Sequence, residues 1–203
     1  VALNLFGVTV NDAHTASVHV DDIQTITVRD LAAICGTTEY RELAIDDAAI
    51  EHHRDVISAY ALRGPVLPAP TGVVFKSQEA MLSWLELHSG ALSEALSFVE
   101  NRVAGRVHIS RNTTQDAQVA AVDIDGVAAE SLRVLRTAAV ATLPLRADRS
   151  AGIVMTAAFL VEQDLWGQFK AEVDALAKRS TGVTFAVTGP WPPYDFVQMQ
   201  LGS

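Results

Sequence analysis

The sequence predicts an α+β protein built as two small domains, each a sheet covered by helices on one face. Three observations point there. Apolar residues recur at period two in some segments and at period three to four in others, without the regular strand–helix alternation of a large parallel sheet. Half of the 203 residues (49%) are hydrophobic, enough for a sizeable core. The polar, unpatterned "NTTQDAQ" at 112–118 reads as a connection between two structured halves.

The opening stretch from Leu3 to Val10 alternates and turns β-branched, as a first strand does, and "NDAHTA" after it is a loop. "HVDDIQTITVRDLAAICG" offers one or two strands, with Ile26 and Val28 on one face and Thr25 and Thr27 on the other. From Asp46 the period lengthens through Ile50, His53, Ile57 and Tyr60, which predicts a helix stopped at Gly64 and Pro65. "GPVLPAPTGVVF" is a short extended run broken by Pro68 and Pro70.

Ser77 is the N-cap of a second helix, expected to reach Val103 with a kink at Ser89 and Gly90. "GRVHISR" is a strand, and a third helix is expected from Val127 to Thr142, stopped by Pro144. The apolar run Ala151–Val161 is about half the roughly 20 residues that span a bilayer, so it reads as a buried strand. A fourth helix over 163–178 ends in Lys178 and Arg179, where the helix dipole favours cations. "GVTFAVTG" is a strand, and "YDFVQMQL" is expected to add a last edge strand. The domains are therefore placed at 1–111 and 127–203, joined by a connecting segment at 112–126.

Composition narrows the function classes. A net charge of −9, with basic residues scattered, disfavours nucleic acid and anionic membranes as partners. The single cysteine, Cys35, allows no internal disulfide and fits a reducing cytoplasm, and the N-terminus shows no secretion-signal pattern. His52 and His53 are adjacent on a helix and diverge by about 100°, a poor geometry for one metal ion. His14 and His19 lack a third ligand at fixed spacing, and "DIDG" at Asp123–Gly126 lacks the distal Glu of a calcium loop, so it reads as a turn. No phosphate-binding glycine loop or nucleophile elbow is present. Ser83, Ser93 and Ser97 read as solvated hydroxyls, and Asp46 with Asp47 as helix capping. No catalytic constellation, cofactor or metal is implied.

The most distinctive stretch is "TGPWPPYDFV" at 188–197. Pro190, Pro192 and Pro193 hold φ near about −65° and give no N–H, so the segment is a stiff extended corner whose shape is largely set before folding. An indole such as Trp191 buries roughly 150–250 Å², worth about 4–6 kcal/mol as an upper bound, so it anchors either this chain's core or a partner.

That corner, Gly189, Pro190, Trp191, Pro192, Pro193 and Tyr194, resembles the C-terminal signature of the gas vesicle protein F/L family. So do "AAFLV" at Ala157–Val161 before a helix with Trp166 and Phe169, and the run from His53 to Phe75 with Leu67, Pro68, Gly72 and Phe75 as a second motif. The openings "LNLFGVTV" and "ITVRDLAAICG" are similar too, so the likeness spans nearly the whole chain. One departure stands out: the family usually places an apolar residue, an arginine and a phenylalanine before Gly72, and this chain has Ala69, Pro70 and Thr71.

The resemblance implies a two-domain α+β architecture with a ferredoxin-like element. It also implies a non-enzymatic accessory or minor structural part in gas vesicle assembly, located at the gas vesicle. The partners implied are the small hydrophobic shell protein, whose aggregation it would limit, and other gas vesicle assembly proteins. A small-molecule-binding regulatory α+β domain is the alternative reading of the residues.

Overall fold

In the structure, a computed structural model, residues 1–41, 43–112 and 123–197 are described. They form, in chain order, β1 (Ala2–Val10), β2 (Ile23–Val28), β3 (Leu31–Thr38), α1 (Asp47–Ala61), β4 (Val66–Phe75) and α2 (Gln78–Val99). There follow β5 (Arg102–Arg111), α3 (Ile124–Thr137), β6 (Ala141–Leu145), β7 (Ile153–Glu162), α4 (Trp166–Arg179) and β8 (Val183–Trp191). The strands make two four-stranded antiparallel sheets, ordered β2-β3-β1-β4 and β6-β7-β5-β8. The protein is α+β, as the changes of period predict.

Two compact units contain these sheets: Val1–Asn101 with Pro192–Ser203, and Arg102–Trp191. The division differs from the expected one at 112–126, of which 113–122 lie outside the described residues. Polarity marks 112–118 as a connection, but strand pairing decides membership. β5 is hydrogen-bonded to β7 and β8 and so belongs with the strands that follow it.

Within the second unit the order β-α-β-β-α-β and the sheet order fourth, first, third, second make a ferredoxin-like fold. Both helices lie on one face: Val107, Ile109, Ala157, Phe159 and Val161 pack against Leu135 of α3 and Phe169, Val173 and Leu176 of α4.

The first unit repeats that sheet order with other connections. Residues 11–22 join β1 to β2 without an α-helix, and α2 is added after the fourth strand. Helices consequently cover both faces, not one as expected. α1 packs Val56, Ile57 and Tyr60 on Phe6, Ile34 and Val66. α2 packs Met81, Leu85, Leu92, Leu96 and Val99 on Leu5, Val8, Ala33, Cys35 and Leu67. The cause is legible in β1 and β3, which are buried almost continuously instead of alternately.

Several local expectations are corrected by tertiary pairing. The run from Val66 to Phe75 is one strand, because β4 stands at a sheet edge where a proline needs no partner for its missing N–H. α2 runs unbroken through Ser89 and Gly90 and ends at Val99. Asn101 then adopts a left-handed φ of 55°, and Val103 falls in β5. α3 stops at Thr137, and Thr142 to Leu145 pair with β7 as an edge strand. Tyr194–Phe196 is a 3-10 turn, not a strand, and 198–203 lie outside the described residues.

The "DIDG" stretch is a helix start: the Asp123 carboxylate accepts the Gly126 N–H at 2.9 Å as N-cap of α3. Asp123→Ala is expected to lower stability by about 1 kcal/mol, read from the urea midpoint at unchanged slope. Millimolar calcium should leave the wild-type Tm where it is; a calcium-dependent rise would show a metal loop instead.

Candidate functional site

The proline corner begins inside β8, an edge strand that, among the described residues, pairs only with β5. Thr188 opposes Arg106 and Trp191 opposes Ala104, so Gly189 and Pro190 together face Gly105 in a bulge, and the peptide between them is cis. Gly189 has φ +122°, which disfavours any side chain, and a Cβ there would lie 2.9 Å from the Ala104 carbonyl oxygen.

Gly105 is required for a different reason. A Cβ on it would collide with the six-membered ring of Trp166, which lies directly over that backbone. Trp166 stacks on Phe169 at 5.7 Å with the rings 20° apart, and Phe169 meets Phe159 at 5.1 Å. The bulge thus rests on an aromatic row rooted in the core of its unit. At its end Trp191 keeps 45% of its surface exposed.

The other half of the motif belongs to the first unit. Pro193 is buried, and Tyr194 packs against the cluster of Phe6, Ile34, Val56, Ile57, Tyr60 and Val66. Its hydroxyl is buried without a hydrogen bond, and burial pushes its pKa up to about 12, with the positive charge of Arg54 opposing. Tyr194 thus packs within its own unit, whereas Trp191 is a partly exposed ring on a stiff strand end.

Leu67, Pro68, Gly72 and Phe75 all lie on β4. Leu67 is fully buried, and Phe75 packs on Trp84 at 5.6 Å. Pro68 opposes Gly7 and Val73 opposes Leu5, so Ala69, Pro70, Thr71 and Gly72 form an excursion from the ladder, with Gly72 at φ +89°. The departure from the family pattern sits on that excursion, where Ala69 is buried and Pro70 exposed. The two motifs occupy the same place in their sheets: each puts proline and a bulge on the fourth strand.

Among the described residues, no cluster of three or more His, Cys, Asp or Glu side chains has metal-holding geometry. His52 is exposed, whereas His53 is 3% exposed and packs on the Phe6 ring at 5.3 Å. Cys35 is wholly buried, and burial pushes its thiol up to about 12. An open cleft of about 740 Å³ lies beside α3 and α4, lined by Glu130, Ser131, Arg133, Leu176 and Arg179 among others. Its two arginines are already engaged, Arg133 by Glu130 at 2.6 Å and Arg179 by Glu172 at 3.5 Å.

Comparison with known proteins decides the family. The family model described as gas vesicle synthesis protein GvpL/GvpF matches residues 3–125 and 115–198. The chain belongs to the GvpL/GvpF family. Gas vesicle protein F2 of Halobacterium salinarum is 26% identical over 205 residues, covering 96% of this chain and 91% of that protein. Gas vesicle protein F of Haloferax mediterranei is 25% identical over 186 residues, covering 89% and 84%. The fold is shared with the crystal structures of GvpF from Anabaena (TM-score 0.79, 16% identity, 98% and 97% coverage) and Microcystis aeruginosa (0.76, 12%, 98% and 100%). No described helix of this GvpL/GvpF member is long and apolar enough to cross a membrane.

The Trp166 platform, which depends on a glycine two strands away in sequence, is a feature sequence reading missed; "GRVHISR" shows a glycine at a strand start but not what lies over it. Gly105→Ala is expected to destabilise by about 1–3 kcal/mol through overpacking. Much of that should be recovered in Gly105→Ala/Trp166→Leu, so that the two changes are strongly non-additive in urea unfolding. Additive losses would show that the ring can move aside.

Neither ring nitrogen of His53 makes a well-formed hydrogen bond, and burial lowers its pKa below the ordinary 6.5, opposed by a polar contact with the Ala69 backbone and reinforced by His52. A depressed histidine pKa means the folded state favours the neutral ring. Its contribution is complete above pH 6.5 and is lost as pH falls from there through the lower folded value. His53→Leu should flatten the decline in Tm between pH 7.5 and about 5. An unchanged slope would refute the assignment.

Proposed function

We propose that this GvpL/GvpF member is a non-enzymatic accessory protein of gas vesicle assembly, acting at the gas vesicle in the cytoplasm. It binds the small hydrophobic shell protein, limits its aggregation and contacts other gas vesicle assembly proteins. The observation that carries the reading is Trp191: a large aromatic side chain, 45% exposed, at the end of an edge strand whose backbone is held by a bulge and flanking prolines. An exposed indole on a rigid support binds an apolar partner with little conformational entropy left to lose. The net charge of −9 favours a protein partner over nucleic acid or an anionic membrane.

In this reading Gly189, Pro190, Pro192 and Pro193 set the direction of the corner, and Tyr194 secures its far side. Leu67, Pro68, Gly72 and Phe75 are structural, since they build the β4 edge.

Co-expression with a gas vesicle shell subunit, followed by gel filtration, tests the assignment. Wild type should keep the subunit soluble and co-elute with it. Trp191→Ala should keep its circular dichroism spectrum while losing about thirtyfold in affinity, the scale of a 2 kcal/mol hot spot. Full co-elution by the folded variant would remove Trp191 from the contact, and no co-elution by wild type would overturn the shell-binding role.

A further inference from the structure

Two sheets have four outer edges, and a sheet edge displays unpaired backbone groups that invite another strand unless something blunts it. Proline interrupts three of the four. β4 carries Pro68, Pro70 and the Ala69–Gly72 excursion, β6 has Pro144 inside a five-residue strand, and β8 runs regularly from Val183 to Thr188 before it ends in the Gly189–Pro190 bulge. β2 is different. Its six residues, "IQTITV", hold no proline, no glycine and no charge, and its register with β3 is regular from Ile23 to Val28.

The groups on that edge follow from the hairpin. Val28 and Leu31 close a two-residue turn, which makes them a hydrogen-bonded pair, and pairing alternates back through Ile26 and Gln24. The N–H and C=O of Thr25 and Thr27 therefore point away from the sheet. Among the described residues neither makes a backbone hydrogen bond outside the ladder. Both side chains are exposed, while Ile26 is 6% exposed and packs in the core under α2.

We propose that the outer edge of β2 is a pairing surface for a second copy of this chain, the two β2 strands running antiparallel about a two-fold axis perpendicular to the sheet. The segment is self-complementary in the register that keeps each face continuous. Thr25 lies opposite Thr27 of the second copy and Thr27 opposite its Thr25, which uses the free backbone groups in two hydrogen-bonded pairs. Gln24 then meets Val28 of the second copy, and Ile26 meets its own equivalent on the α2 side. Threonine and β-branched cross-strand pairs are favourable, and no like charges oppose one another between residues 24 and 28. The pairing is independent of Trp191.

Charges sit only beyond the strand ends, Asp21 and Asp22 before it and Arg29 and Asp30 after it. Antiparallel pairing brings the first pair alongside the second with a surplus of negative charge, and each copy carries −9 overall. Salt should therefore strengthen the dimer, the opposite of an interface held by ion pairs. A single strand-to-strand contact is also small, so the dimer is weak and its population rises with concentration.

Sedimentation equilibrium across about a hundredfold concentration range, at low and high salt, is the test. Wild type should pass from monomer toward twice its mass, at lower concentration in high salt. Thr25→Pro removes an outward N–H without touching the β3 ladder, and Thr27→Lys places a charge on the edge; each should remain monomeric with an unchanged circular dichroism spectrum. In wild type the Thr25 and Thr27 amides should exchange more slowly as concentration rises. A wild type that stays monomeric throughout, a folded Thr27→Lys that dimerises as wild type does, or a dimer that leaves both amides exchanging as before would each overturn the proposal.

Discussion

Pro68 and Pro70 in β4 and Pro190 in β8 have no N–H to contribute to a ladder, and that single deficiency governs the layout of both sheets. A strand carrying them is stable only at an edge, with the deficient side turned away from its neighbour. The fourth strand of each unit stands there, next to the first strand. Once the edge is set, the apolar first and third strands must occupy the interior. Their buried residues then decide where the helices lie.

The two units solve the same packing problem with different material. In the second unit α3 crosses between the first and second strands and completes the helical face with α4. In the first unit the corresponding connection, residues 11–22, contains no α-helix, and the face beside α1 is completed by Val18, Val20, Ile23 and Tyr194. A residue from the far end of the chain thus takes up apolar surface that a crossover helix would otherwise bury. That accounts for a tyrosine whose hydroxyl is buried without a partner: its ring is needed there, and the unmade hydrogen bond is offset by the area the ring buries.

Trp191, by contrast, is 45% exposed. Its neighbours in the motif are held by the Gly189–Pro190 bulge over Gly105 and by the Trp166 row beneath, so the backbone is stiff while the indole stays partly in water. A folded chain gains little stability from leaving an indole half exposed, and a contact surface gains a preorganised anchor. That asymmetry distinguishes Tyr194, packed on the cluster of its own unit, from Trp191, whose ring stays partly exposed.

Local chemistry wrote much of this protein into its sequence. The changes of period, the N-caps at Asp46 and Ser77 and the GPWPPY corner depend on neighbours within a few residues, so the α+β class, most helix starts and the family were legible there. Long-range pairing decided the rest. β5 belongs to the second unit because its partners are β7 and β8, sequence-distant strands that no local pattern names. The first sheet is covered on both faces because α2, which follows the last strand, packs on the side α1 leaves open. Trp191 and Tyr194, three residues apart, received different environments because one ends an edge strand and the other packs against a core cluster. Burial is a property of what surrounds a side chain, and only the folded chain supplies the surroundings.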